Sequence, residues 1–363
     1  MSPKNDQGSD WTRLLWPNLA AAGAGAALAW RMMEAFSPPK AAPEPAATAW
    51  ASENSIVLEL AAARLRCFSR PGNGRTPLVV CAPFALHDAG IADLYENHSL
   101  MAVLRQGGAP LYLVEWLSAG ETQAFRRIDD YLSDLNIFID EIGGRADLIG
   151  LCQGGWLGLI YAARFPAKAR KLVLAAAPVD IEAGSSQLSL LARSTPIETF
   201  RELVRYGGGF ARGGEALRFW SAPEDGERVH ELLQSDLPSD GADFAALVSA
   251  YRAWSAHVLD LPGAYYLEVV ERFYKRNELA EGDFTALGRR IDLRKILCPL
   301  YLIAASDDEV TAVEQTFACE NLVGTPVEKI RRKIASGAHL SLFAGARTLI
   351  EVWPDVLEWL EEA

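Results

Sequence analysis

Apolar and polar positions change rhythm several times along this chain, and each rhythm predicts an element. "SIVLEL" (55–60) and "ARLRCFS" (63–69) alternate enough to suggest an opening antiparallel strand pair. "TPLVVCAPF" (76–84) is a continuous apolar run ending at a proline, the pattern of a strand buried on both faces. "ENHSLMAVLRQGG" (96–108) has helical spacing and a glycine stop, and "PLYLVEW" (110–116) is a second buried strand. The amphipathic "IDDYLSDLNIFIDEIGG" (128–144) follows, then strand "ADLIGL" (146–151), helix "GGWLGLIYAARFP" (154–166) and strand "ARKLVLAAAP" (169–178). Strands and helices alternating at this pitch imply α/β architecture, with a mostly parallel sheet wrapped on both faces.

The rhythm breaks after Pro178. Residues 183 to about 285 carry helical stretches such as "IETFRELVRYGG" and "DFAALVSAYRAWSAHVL" but no strong strand, and read as an inserted helical cap. Trp220, Trp254, Tyr265, Tyr266 and Phe273 in this stretch suit an apolar cover, most of them as core. The α/β pattern returns with "CPLYLIAAS" (298–306) and "EKIRRKIAS" (328–336), and closes on the helix "RTLIEVWPDVLEWLEEA" (347–363). The expected organisation is therefore an N-terminal segment and linker over 1–49, a first core part over 50–182, the cap over 183–285 and a second core part over 286–363.

Ahead of the core, "SPPKAAPEPAATA" (37–49) is a Pro/Ala linker with little apolar bulk. The segment 14–36 is apolar and rich in Ala and Gly, behind Lys4 and Arg13. Three readings stay open for it: a flexible or peripheral helix, a contact with a membrane or granule surface, and a cleaved signal. Pro17 and Asn18 interrupt a run already short for a span.

A net charge of −12 argues against nucleic acid, whose phosphates need a positive surface. The five cysteines (Cys67, Cys81, Cys152, Cys298, Cys319) are scattered, with no C-x-x-C pair. That argues against a disulfide framework and a zinc site, and fits a reducing cytoplasm. No metal and no cofactor is expected.

In an open parallel sheet the ligand site lies beyond the carboxyl ends of the strands. Gly150-Leu151-Cys152-Gln153-Gly154 falls at such an end and matches the nucleophile elbow, with cysteine where serine is commoner. Gly150 and Gly154 allow the tight turn, and Gly155 lets the next helix start against the strand with its dipole toward the thiol. Asp307 follows the strand "YLIAAS", and His339 lies in "SGAHLSLF" after the next strand. The order nucleophile, acid, histidine is that of a hydrolase triad. Asp307 is preferred as the acid over its neighbour Asp308, because D-x-x-V then runs Asp307 to Val310 and the acid comes first after the strand. The Gln153 backbone N–H and one from the loop near Phe84 and Ala85 are expected to form the oxyanion hole. His98, His230 and His257 read as structural or surface residues, and so does His87, although it lies near the oxyanion loop.

"LIGLCQGGWLGLIYAA" resembles the cysteine lipase-like box G-x-C-x-G-G of the polyhydroxyalkanoate synthase family of the α/β-hydrolase superfamily. "FYKRNELAEGDFTALGRRIDLRKILCPLYLIAASDDEV" (273–310) is similar to that family's segment leading into its aspartate, and "GAHLSLFAGARTLIEVWPDVLEWL" to its histidine segment and closing helix. The likeness covers roughly residues 50–363 and implies an α/β-hydrolase fold with Cys152, Asp307 and His339 as nucleophile, acid and base. It implies a (3-hydroxyacyl)-CoA substrate and a polyester product stored in granules. Three stretches differ from the family pattern: "APFALHDAGIADL", "DDEVT", and Trp156 in place of a small polar residue, all expected near the pocket mouth. Residues 260–282 also look like relatives described as hydrolases or depolymerases. The expected activity is a Cys-dependent acyltransferase. The alternatives are a polyhydroxyalkanoate depolymerase or other ester or thioester hydrolase, and an inactive granule- or membrane-associated protein. The oligomeric state is open, a homodimer included.

Overall fold

The computed structural model describes residues 49–69, 74–220 and 226–362, so the apolar segment 14–36 and most of the linker lie outside the described residues. Eight strands form the main sheet: β1 (Ser55–Glu59), β2 (Ala63–Cys67), β3 (Leu78–Cys81), β4 (Leu111–Trp116), β5 (Ala146–Leu151), β6 (Ala169–Ala175), β7 (Leu300–Ala305) and β8 (Ile330–Ala335). They lie in the order β1-β2-β4-β3-β5-β6-β7-β8. β1 pairs antiparallel with β2, and β2 with β4; every other pairing is parallel. This is the mostly parallel sheet that the strand–helix rhythm predicts.

The continuous apolar runs are explained by burial on both faces. Alternate residues of one strand enter different cores. Val79, Leu148, Leu172 and Leu174 join one cluster; Leu78, Val80, Ile149 and Val173 join the other. Helices α1 (Leu100–Arg105), α2 (Ile128–Glu141) and α3 (Gln153–Arg164) come from the first half of the chain. The first cluster holds Ile128, Tyr131, Leu135 and Phe138 of α2 with Trp156, Leu159 and Ile160 of α3. The second holds α1 together with the closing helix. The helix expected over 96–108 is shorter, because His98–Ser99 pairs with Asp93–Tyr95 and the Ser99 hydroxyl then caps α1 by accepting from Ala102 N at 2.8 Å.

Between β6 and β7 the chain contributes α4 (Gln187–Ser194), α5 (Ile197–Tyr206), α6 (Gly213–Trp220), α7 (Gly226–Leu233), α8 (Ala242–Ala256) and α9 (Gly263–Glu268), the last running into a π-helical turn over Val269–Lys275. The only strands described in this stretch are two-residue pieces outside the main sheet. The closing helix divides into Ala346–Glu351 and α10 (Trp353–Glu361), with Pro354 at the start of the second, where its missing N–H costs no helical bond. Among the described residues no helix is long and apolar enough to cross a membrane.

Candidate active site

Cys152 stands between β5 and α3 with φ +49° and ψ −116°, a conformation that L residues rarely adopt. It is held there from both sides. Its N–H donates to Ala175 O at 2.8 Å, and its carbonyl accepts from Gly155 N at 2.9 Å. The flanking glycines are obligatory on steric grounds. A Cβ at Gly150 would lie 2.3 Å from Gly155 Cα, and one at Gly154 would lie 2.0 Å from Cys81 O. One at Gly155 would lie 2.4 Å from the Ala177 Cβ. Strand, helix and the end of β3 therefore meet around the thiol with no room for side chains.

His339 reaches the same point from the loop after β8. Its Nδ1–H donates to Asp308, with Oδ1 at 3.0 Å and Oδ2 at 2.8 Å, and the Cys152 side chain lies near enough to the ring to act on its charge. With Nδ1 engaged by the carboxylate, Nε2 is left for the sulfur. Burial works against the charged imidazolium. Asp308 and Cys152 together outweigh it and hold the His339 pKa well above its ordinary value. All three groups are buried; the Asp308 side chain is 1% exposed. Asp308 Oδ1 also accepts from Val310 N at 2.8 Å and Thr311 N at 2.7 Å, so the carboxylate is fixed by its own turn.

The carboxylate that faces His339 is thus Asp308, where Asp307 was expected. Beyond β7 the chain turns while bonded to the end of β8 and the loop after it: Ser306 N donates to Ala335 O at 2.9 Å and Asp307 N to Gly337 O at 3.0 Å. Asp307 faces outward, exposed, where its Oδ2 accepts from the Ser306 hydroxyl at 2.7 Å. Asp308, at the bend, faces the histidine.

Gln153 is the first residue of α3, where a backbone N–H has no intrahelical acceptor. Phe84 and Ala85 follow the end of β3, which abuts this helix start at Gly154. The Phe84 carbonyl lies 3.4 Å from the Tyr265 hydroxyl, which also lies 3.5 Å from Gln153 Oε1. The Phe84 ring packs with Trp116, Tyr131 and Tyr265, and Ala85 bridges to His87. His87 stacks on Trp254 at 4.6 Å, and burial pushes its pKa down to about 4.

Two tyrosines near the thiol could not be told from core aromatics by sequence. Tyr265 and Tyr274 are both buried, and both phenol pKa values are raised, first by burial and then by neighbours that include Cys152. They remain protonated donors. Trp156 also departs from expectation. It is 1% exposed and stacks on Phe273 at 4.1 Å, inside the core rather than at the pocket mouth. An indole projecting from the buried helix α3 is covered by the π-helical turn that carries Phe273. Among the described residues there is no cluster of His, Cys, Asp and Glu that could hold a metal ion.

Sheet order, elbow and histidine loop together define an α/β hydrolase. Solved structures agree on the fold. A monoacylglycerol lipase from Paleococcus ferrophilus superposes with TM-score 0.55 at 16% identity, covering 82% of this chain and 98% of that one. An alpha/beta hydrolase fold protein from Chitinophaga pinensis gives 0.50 at 14% identity, covering 86% and 98%.

Sequence comparison narrows the class. A family model described as PHB de-polymerase C-terminus matches residues 225–363. The poly(3-hydroxyalkanoate) polymerase subunit PhaC of Synechocystis sp. is 27% identical over 312 residues, 79% of this chain and 78% of that protein. The PhaC subunit of Allochromatium vinosum is 24% identical, over 75% and 77%. The chain is thus similar in sequence to poly(3-hydroxyalkanoate) polymerase subunits and, over its last part, to the PHB de-polymerase family, on an α/β-hydrolase fold, which makes it an enzyme of acyltransferase or hydrolase type.

Proposed function

We propose that this protein is a Cys-dependent acyltransferase of polyhydroxyalkanoate synthase type acting on (3-hydroxyacyl)-CoA. The observation that carries the reading is one cluster: Cys152 on a positive-φ elbow, close enough to His339 to act on its charge, with the His339 Nδ1 held by Asp308. The Cys152 thiolate attacks the thioester carbonyl, with the proton on His339. The tetrahedral oxyanion is held by backbone N–H groups at Gln153 and in the Phe84–Ala85 loop. As the carbon–sulfur bond to CoA breaks, His339 returns its proton to the departing CoA sulfur, leaving an acyl-cysteine. The intermediate is itself a thioester, close in energy to the substrate, and stays reactive toward alcohols. His339 then takes the proton of a hydroxyl on another 3-hydroxyacyl unit, the new ester forms, and the thiol is restored. No metal or cofactor enters any step.

The depolymerase name of the family matching residues 225–363 favours one further reading, hydrolysis through the same groups with water as acceptor. The helical segment over 183–285 is then the element that decides by admitting or excluding water. We assign the protein to the cytoplasm and its polyester granules, with residues 14–36 as the granule or membrane contact.

Purified protein with 3-hydroxybutyryl-CoA tests the proposal. CoA release with growing polymer, lost in Cys152→Ala, is expected. CoA release with free acid as the sole product overturns synthesis in favour of hydrolysis. No Cys152-dependent turnover, together with no labelling of Cys152 by a thiol-directed acyl probe, leaves a silent granule protein.

A further inference from the structure

We propose that Gln234 is a positioning residue for His339, locking the histidine loop to the helical segment inserted between β6 and β7; the inference rests on the Cys152–His339 reading above. Gln234 is the first residue past α7, and its backbone is left-handed, with φ +49°. Its N–H donates to Glu231 O at 3.2 Å, and that of Ser235 to His230 O at 3.4 Å, closing the helix end. Glycine is the usual occupant of such a position, because a Cβ there costs free energy. A glutamine in its place needs a reason, and its side chain supplies one.

That side chain is spent on the two ends of the His339 segment. Gln234 Nε2 donates to Ser336 O at 2.5 Å, three residues before the histidine. Gln234 Oε1 accepts from Thr348 N at 3.1 Å and from the Thr348 hydroxyl at 3.0 Å, nine residues after it. The amide is wedged between two glycines of that segment. A Cβ at Gly337 would meet Nε2 at 2.4 Å, and one at Gly345 would meet Oε1 at 2.6 Å. A second strut runs parallel: the Ser341 hydroxyl donates to Leu232 O at 2.8 Å and accepts from Ala338 N at 3.1 Å.

The loop between these anchors is tied to the sheet and core by Asp307 N to Gly337 O at 3.0 Å, by the His98 ring to Ala344 O at 2.8 Å and by Trp353 Nε1 to Leu342 O at 2.8 Å, while Gln234 ties both of its ends to the inserted segment. His339 must hold both at once, Nδ1 to the carboxylate and the opposite nitrogen to sulfur. Beyond those two groups its ring meets the edge of Phe343 at 5.3 Å. Displacement of a reacting group by about 1 Å can cost about 10²-fold in rate. A clamp from α7 therefore ties the orientation of the imidazole to the seating of the inserted segment.

The test is full-length Gln234→Met, which keeps length and bulk but removes both polar groups. Iodoacetamide alkylation of Cys152, followed by peptide mass, is measured across pH beside wild type and His339→Gln. CoA release from 3-hydroxybutyryl-CoA gives kcat and KM. The variant is expected to lose about tenfold of its alkylation rate near pH 6 relative to that near pH 9, with kcat down by about tenfold and KM nearly unchanged. If Gln234→Met does not fold, Gln234→Glu keeps the acceptor for Thr348 and removes only the donor to Ser336 above its own titration, with a smaller shift expected. A folded variant with the wild-type profile overturns the inference alone. Wild type and His339→Gln alkylating alike at every pH overturns the Cys152–His339 reading, and the inference with it.

Discussion

His339 is bound to Asp308 and not to Asp307: its Nδ1 lies 2.8 Å from Asp308 Oδ2, while Asp307 bonds the hydroxyl of Ser306 on the outer surface. Two adjacent aspartates thus have unlike surroundings, and substitution separates them. Asp308→Asn is expected to lower kcat for CoA release by about 10²–10⁴-fold, because the amide no longer holds the required tautomer or stabilises the imidazolium. Asp307→Asn should stay within about threefold of wild type. Equal losses in both would sink the assignment.

The elbow glycines give a stability contrast within one helix. Gly154→Ala forces a Cβ to within 2.0 Å of Cys81 O and should destabilise by more than about 3 kcal/mol, or prevent folding. Gly158, one turn on, has only Leu172 Cδ1 at 3.7 Å, so Gly158→Ala should stabilise by about 0.5–1 kcal/mol through helix propensity. Urea unfolding followed by circular dichroism measures both.

Trp156 and Phe273 should behave as an energetic pair. Trp156→Ala is expected to cost about 3–5 kcal/mol through the cavity it leaves. A double-mutant cycle with Phe273→Leu should return a coupling of about 0.5–1.5 kcal/mol, given centroids 4.1 Å apart. A coupling of zero would mean that the inserted segment does not seat on α3 as described.

His87 makes stability depend on pH. Burial lowers its folded pKa to about 4 against an ordinary 6.5, so between those values the unfolded chain binds more protons. Its contribution is complete above about 6.5 and is lost as pH falls toward about 4. The unfolding free energy of wild type should therefore drop across that window more steeply than that of His87→Gln. Parallel curves would show that His87 is protonated equally in both states.

Much of this was legible in local pattern. The alternation of buried runs with amphipathic stretches predicts the parallel sheet, because side-chain period follows from backbone geometry alone. Gly150, Gly154 and Gly155 around Cys152 predict the elbow for the same reason, since only glycines fit that turn. His339 was legible from chain order after successive strands.

What the sequence determined by itself was the order of strands and helices, the elbow cysteine and the histidine loop, all properties of residue spacing. Tertiary structure alone decided which aspartate faces inward, because that depends on how the turn after β7 is bonded to Ala335 and Gly337 at and past the end of β8. It likewise put Trp156 in the core through Phe273, 117 positions along the chain, and set Gln234 against Ser336 and Thr348, more than 100 positions away. Such contacts join residues with no shared local pattern. Their energy exists only once the sheet and the inserted helices have been brought together.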